Sequence, residues 1–373
     1  ADYQTHSKSL LNRKGKPVDL LAFVGTPPLG LPPVPNPGNN PTTSAKVGLG
    51  RKLFYDRRLS HNNTISCAMC HVPEQGFTVN EMATAVGIEG RSVRRNAPTL
   101  YNVAYATRIF HDGRESTLEQ QVWGPLLAAN EMGNPSVGSV IERLRGLADY
   151  QGLFEVAFDG RGPGMETIGM AIAAYERTLV SANSRFDRWY FGRQQNALSP
   201  AAVRGFALFR GKAGCIACHS LEERSALFTD NRLHNTGVGY RAVFGIPTAR
   251  EIPVAPGQSL SLASALPSRA NDLGRYEITH DPADRWKYKT PSLRNVALTA
   301  PYMHDGSISS LRQVVEFYNH GGVANENLDG RIRPLGLTGA EIDDLLALLF
   351  SLTGDNTDAI VGDAFAAPVG DPH

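Results

Sequence analysis

Apolar positions recur at helical spacing in two stretches that each lead toward a cysteine pair. After Ser44, a candidate N-cap, Val47, Leu49, Leu53 and Phe54 mark one face of a helix. After Leu198-Ser199-Pro200, which supplies an N-cap and a proline at the first helical position, Val203, Phe206, Ala207 and Phe209 do the same. Ile168 to Ser181 predicts a helix closing the first half. Behind the capping box Thr338-x-x-Glu341, Ile342 to Leu352 predicts its counterpart in the second. Residues 25–41 are dense in proline, which denies the backbone a helix and predicts an extended arm or clasp over the surface. The pattern predicts an all-α chain with long loops. Its division is a Pro-rich arm over 1–45 and two helical domains, over 46–190 and 191–373.

Each helical approach ends in the same pentapeptide form, Cys67-Ala-Met-Cys70-His71 and Cys215-Ile-Ala-Cys218-His219. In C-x-x-C-H the two thiols can take thioether bonds to haem vinyl groups, and the adjacent imidazole can ligate the iron. A zinc or thiol-redox use is the alternative, but all four cysteines of the chain lie in these two motifs, each followed at once by histidine. The reading is two covalent c-type haems, in cytochrome c-like domains that each begin with a helix leading into the motif.

A repeat continues downstream. Pro98-Thr-Leu-Tyr-Asn102-Val-Ala and Phe110-His111-Asp112-Gly113 match Pro291-Ser-Leu-Arg-Asn295-Val-Ala and Met303-His304-Asp305-Gly306 at one spacing. Leu118, Gln120 and Val122 then pair with Leu311, Gln313 and Val315. The spacing leaves an insertion of roughly 45 residues between His219 and Pro291, rich in Gly, Pro and Ser, which reads as loop. Extended further, the repeat sets Pro125 opposite Tyr318, on a short helix begun by Ser310. A tyrosine there can close an iron's far face; a proline has no donor to offer. One haem is expected to be closed and the other open.

Composition narrows the function classes. Over 373 residues the chain is 42% hydrophobic and 20% charged, with formal net charge +1, so charge gives no case for nucleic acid or an acidic membrane surface. The longest apolar stretch, Leu345 to Phe350, is too short to span a bilayer. Because c-type haem is attached outside the bacterial cytoplasm, the expected location is the periplasm, with a signal peptide removed.

From about Val47 to Leu352 the chain resembles the bacterial di-haem cytochrome c peroxidase and MauG family. The carriers are both haem motifs, Arg95-Asn-Ala-Pro-Thr99, Phe-His-Asp-Gly-Arg114, Pro-Ser-Leu-Arg-Asn295, Pro301-Tyr-Met-His-Asp-Gly306 and Phe317-Tyr-Asn319. The peroxidases usually hold methionine at the place of Tyr318 and MauG holds tyrosine, so the likeness is to the MauG-like branch. MauG also has a tryptophan where this chain has Ala213, which favours an MbnH-like protein over MauG itself.

The resemblance implies that His71 is the proximal ligand of a peroxide-reactive haem and that His219 and Tyr318 are the axial pair of the second. It implies Glu131 as the distal acid, with Gln121 and Pro125 lining its pocket, and a calcium ion held by Asn96, Thr299 and Pro301. His111 stands where the family places a tryptophan between the haems. The implied activity uses hydrogen peroxide to form a high-valent bis-haem state that oxidises a tryptophan of a periplasmic partner protein. The alternatives are a peroxidase drawing electrons from a small cytochrome or cupredoxin, and a plain electron carrier. Met303 is a rival iron ligand, while His304, His234, His280 and His320 read as structural. Trp123, Trp189, Tyr190 and Trp286 could carry electrons or simply fill the core.

Overall fold

The computed structural model describes residues 15–244, 251–255, 258–261 and 272–366. It is helical with little strand. Five helices position the site: α1 (Ser44–Tyr55), α2 (Met165–Glu176), α3 (Pro200–Arg210), α4 (Leu311–Asn319) and α5 (Gly339–Phe350). Helix α1 packs on α2, and α3 packs on α5. Each crossing is made at a glycine where the backbones nearly touch. A Cβ on Gly50 would lie 1.8 Å from the Ala171 carbonyl oxygen, and one on Gly205 would lie 2.0 Å from that of Asp344.

The caps explain where these helices begin and end. Thr43, not Ser44, caps α1: its backbone is extended and its side chain accepts the Lys46 N–H at 3.4 Å, so Ser44 is already the first helical residue. Ser199 and Pro200 start α3, and the Thr338/Glu341 capping box starts α5, as their sequences predict. Helix α2 stops at Glu176, five residues short of the expected end at Ser181. There the Asn102 side chain takes both backbone groups of Ser181, at 2.9 and 2.8 Å, and draws the chain out of the helix.

Two aromatic-rich cores result. One holds Phe54, Phe77, Trp123, Phe154 and Tyr175; the other holds Phe186, Phe206, Phe209, Phe228 and Leu345. Matched sequence positions carry matched backbone. Asn102 and Asn295 have φ of 62° and 60°, Phe110 and Met303 of 65° and 73°, and Gly113 and Gly306 of 65° and 63°. Thr117 and Ser310 each cap the helix that follows, both at 3.3 Å.

The proline-dense segment packs into a third, smaller core. Leu31 and Val34 are buried against Tyr105, Val180 and Ala182, and the Pro32 carbonyl accepts the Tyr105 hydroxyl at 2.9 Å. The Gly30 carbonyl accepts from Arg294 at 2.7 Å. Arg294 in turn forms a fully buried pair with Asp187 at 2.9 Å. A short helix ahead of it, Leu20–Gly25 capped by Asp19, was not evident from its sequence. The insertion is not all loop. It contains the helix Val238–Phe244, and β1 (Leu233–His234) beside it is pulled into a ladder with β4 (Tyr288–Lys289). Strands β2 (Glu251–Ala255) and β3 (Gln258–Ser261) form an antiparallel hairpin. Turn-forming residues between these short elements masked them in the sequence. Residues 245–250, 256–257 and 262–271 of the insertion lie outside the described residues.

Candidate haem sites

Each C-x-x-C-H folds as a single helical turn, Cys67–Cys70 in one case and Cys215–Ala217 in the other. The following histidine N–H closes the turn on the first cysteine's carbonyl at 2.9 Å in both. Residues three apart on such a turn are neighbours, so the two thiols of each pair lie together with the imidazole beside them. His71 donates its Nδ1–H to the Phe77 carbonyl at 3.1 Å, and His219 donates to the Phe228 carbonyl at 2.8 Å. A carbonyl can only accept, so these bonds fix the tautomer and leave the Nε2 lone pair free for a metal. Both phenylalanines sit in left-handed backbone, φ 55° and 52°, in the turns that present those carbonyls. Burial pushes both imidazoles below their ordinary value, against the pull of the carbonyl bonds, so each is neutral as ligation requires.

The four thiols are free. Burial raises Cys67 and takes Cys215 to about 12 and Cys70 to about 11. A redox C-x-x-C lowers its thiol with a nearby cation, and the first motif has the opposite electrostatics; in the second, Cys218 lies beside His234 and Asp230.

A cavity of about 370 Å³ adjoins the second motif. Cys215, Cys218, His219, Phe209 and Leu345 line it, and Tyr318 and Met303 both reach it. The Tyr318 hydroxyl makes no hydrogen bond among the described residues, and burial raises its phenol, with Cys215 and Cys218 adding to the effect. Asn96, Thr299, Pro301, His111, His304 and Tyr288 complete the wall toward the first half. His111 donates Nε2–H to the Asn96 carbonyl at 2.9 Å, and burial holds it at about 4. His304 stacks on Tyr288, with ring centroids 3.6 Å apart, and its buried Nε2 has no partner.

In the first half, Gln121, Pro125 and Glu131 follow one another along a short helical segment and its loop. The backbone of that loop is clamped. Glu131 donates its N–H to Ala128 and accepts that of Ile88, both at 2.9 Å. Gly87 lies so close that a Cβ there would be 2.2 Å from the Asn130 oxygen. The Glu131 carboxylate makes no hydrogen bond among the described residues, and burial raises it, opposed by Arg114.

The other histidines sort themselves. His234 is held between Asp230 at 2.8 Å and Asp329 at 2.7 Å. His280 and His320 are exposed, and Trp286 and Trp123 are core residues. Residues that the motifs did not single out also matter. Arg95 bridges Asp112 and Asp272, each at 2.6 Å, pinning the end of the insertion to the first half. Asp272 lies in a stretch with no signature, so its role was invisible in sequence. The Phe77 and Phe228 carbonyls were equally hidden, because a backbone group leaves no residue-type signal.

The family model for di-haem cytochrome c peroxidase matches residues 44–195. Cytochrome-c peroxidase IdrP1 of Denitromonas iodatirespirans is 39% identical over 88% of this chain and 86% of its own length. This chain belongs to the di-haem cytochrome c peroxidase family. Another relative within it, methylamine utilization protein MauG of Methylorubrum extorquens, is 37% identical over 86% of this chain and 82% of its own. Among solved structures, a MauG-like protein associated with microbial copper homeostasis superposes with TM-score 0.76 and 34% identity, covering 92% of this chain and 98% of that one. The family's di-haem peroxidase BthA of Burkholderia thailandensis gives 0.68 and 25%, over 95% and 92%. As a family member the chain is an oxidoreductase that carries two c-type haems. No helix among the described residues is long and apolar enough to cross a membrane.

Proposed function

We propose that this chain is a periplasmic, MauG-like enzyme that spends hydrogen peroxide on oxidising a tryptophan of a partner protein. One observation carries the reading: Tyr318 reaches the second haem cavity with its hydroxyl unpartnered, while the repeat-matched residue of the first half is Pro125. In this reading the chain is a duplication: an arm over 1–45, a peroxide-reactive domain over 46–190 and a His/Tyr-ligated domain over 191–373.

Cys67 and Cys70 would hold the first haem with His71 beneath it. Cys215 and Cys218 would hold the second between His219 and Tyr318. The free thiols, the Nε2 lone pairs and the unpartnered phenol fit those groups. When bound, the haems supply iron that takes up the two oxidising equivalents of a peroxide. A phenolate ligand favours the more oxidised iron, whereas a thioether favours the reduced, so Tyr318 suits storage of an oxidising equivalent.

What remains falls to this chain's own residues. Glu131, raised by burial and held by its clamped loop, accepts the proton of the inner peroxide oxygen and returns it to the outer one, which leaves as water. Gln121 and Pro125 would line the space beside it, and Pro125 offers no side-chain atom that could ligate iron. His111, neutral and fixed to Asn96, lines the second cavity and in this reading takes the place of the family's tryptophan between the haems. For calcium, the carbonyls of Thr299 and Pro301 accept no hydrogen bond among the described residues. The Asn96 amide donates its N–H to Ala83 at 3.0 Å, leaving Oδ1 free. All three residues line the same cavity, oxygens of this kind suit a hard cation, and this reading includes one Ca²⁺.

The second reading, a peroxidase oxidising a small cytochrome or cupredoxin, draws on the relative IdrP1. The likeness to a copper-homeostasis protein directs the first search for a partner to copper-binding proteins. The deciding experiment gives the holoprotein peroxide together with a candidate partner, and separately a reduced cytochrome c. A peroxide-dependent mass change on a partner tryptophan supports the first reading. Rapid catalytic cytochrome oxidation with no such change replaces it with the second.

A further inference from the structure

The repeat continues into the interface between the two halves. Two residues ahead of the matched Pro98 and Pro291 stand Asn96 and Lys289, and His111 matches His304. The halves clasp each other through these four residues. The Asn96 N–H donates to the His304 carbonyl at 2.8 Å, and the Lys289 N–H donates to the His111 carbonyl at 2.7 Å. The side chains break the symmetry. Asn96 spends its amide on Ala83, and His111 donates to the Asn96 carbonyl. Their counterparts are unspent: the Lys289 ammonium makes no hydrogen bond or ion pair among the described residues, and the His304 Nε2 is buried without a partner. All four residues line the second cavity.

That ammonium is costly where it stands. Burial pushes Lys289 down to about 8, with no other influence opposing it. No aspartate or glutamate among the described residues lines the cavity. Arg331 and Arg333, the other cations that reach it, are exposed, and Arg331 is paired with Asp329 at 2.8 Å. The carboxylates next to the clasp are taken as well, Asp112 and Asp272 by Arg95 and Asp305 by the Ser307 N–H at 3.1 Å. An ammonium buried in low dielectric gives up its proton or finds an anion. Here the anion has to arrive with whatever fills the cavity. A porphyrin held through its vinyl groups by Cys215 and Cys218 brings two carboxylates on the edge away from those groups.

We propose that Lys289 is the residue that binds a carboxylate of the second haem, and that its charge sets how easily that iron is oxidised. The inference rests on the haem assignment of Cys215, Cys218 and His219, not on the identity of the substrate. A fixed cation beside the porphyrin disfavours the ferric state, which carries one positive charge more than the ferrous. Tyr318 acts in the opposite direction, because a phenolate ligand favours ferric iron. The second haem is thereby held between two opposed influences, and Lys289 is the one that keeps it reducible.

The test is the midpoint potential of each haem in the holoprotein, read by spectroelectrochemical titration, with Tyr318→Phe marking which spectrum belongs to the second haem. In mildly alkaline buffer, Lys289→Met should move the ferric/ferrous equilibrium of the second haem about ten-fold toward ferric, which is about 59 mV for one electron. The first haem should stay in place. The gap between variant and wild type should narrow as the pH falls, because the carboxylate left unpaired then takes up a proton. His111, His304, Tyr288, His234, Arg331 and Arg333 face the same cavity, are common to both proteins and drop out of that comparison. Lys289→Arg should keep the wild-type potential, and Lys289→Gln replaces the methionine variant if that one fails to take up haem. An unchanged second potential in the neutral variant, a gap that ignores pH, an equal shift of both haems, or an arginine variant shifted as far as the methionine one would each overturn the proposal. If Tyr318→Phe alters neither spectrum, the Tyr318 reading fails, while a charge-dependent shift confined to one haem still upholds the pairing.

Discussion

Replacing Glu131 by glutamine separates a proton-transfer role from a structural one, because the two predict opposite effects on stability. The carboxylate makes no hydrogen bond among the described residues, and its loop is held by the backbone of Ala128 and Ile88, so the amide fits without disturbing a partner. General acid–base catalysis contributes about 10²–10⁴ in rate, or roughly 2.7–5.5 kcal/mol of barrier. The peroxide reaction of Glu131→Gln should slow by that factor, measured by stopped-flow absorbance of the haems. Burial raises this carboxyl above its ordinary 4.5, so the wild-type rate should rise with pH through that raised value, and the variant should lose this limb. The folded protein prefers the protonated form, so the charged form at neutral pH works against folding. Glutamine removes that cost, and the variant should be at least as stable as wild type in urea at pH 7. A variant that reacts with peroxide at the wild-type rate, or one that loses activity only because it unfolds, would refute the assignment.

Other perturbations test other parts of the frame. Electron paramagnetic resonance of the ferric holoprotein should show one high-spin and one low-spin haem, and Tyr318→Phe should alter only the low-spin signal; two low-spin signals at rest would favour the electron carrier. Gly205→Ala should destabilise by about 1–3 kcal/mol in denaturant, because the new methyl group would lie 2.0 Å from the Asp344 oxygen; a helix interior otherwise prefers alanine by roughly 1 kcal/mol. Glu176 is buried with one oxygen unpartnered and is pushed up to about 8 by burial. The folded state therefore binds its proton across pH 4.5 to 8, stability should fall as pH rises through that window, and Glu176→Gln should flatten the Tm profile there.

The sequence by itself determined the chemistry's vocabulary. Two C-x-x-C-H motifs limit the thiols to one use, capped amphipathic helices frame each motif, and a spaced repeat names Tyr318 and Pro125 as the unequal pair. These are local signals, readable because they depend on residue type over short spans. What it left undecided depends on contacts between distant segments or on backbone atoms. The Phe77 and Phe228 carbonyls that set the imidazole tautomers carry no side-chain signature. The early end of α2 comes from an asparagine 79 positions away. Asp272 binds Arg95 across 177 positions. The contact of Trp189 with Phe206 exists only because the helix Arg185–Tyr190 is laid against α3. Periodicity can say that such residues are apolar, but only packing decides which ring meets which.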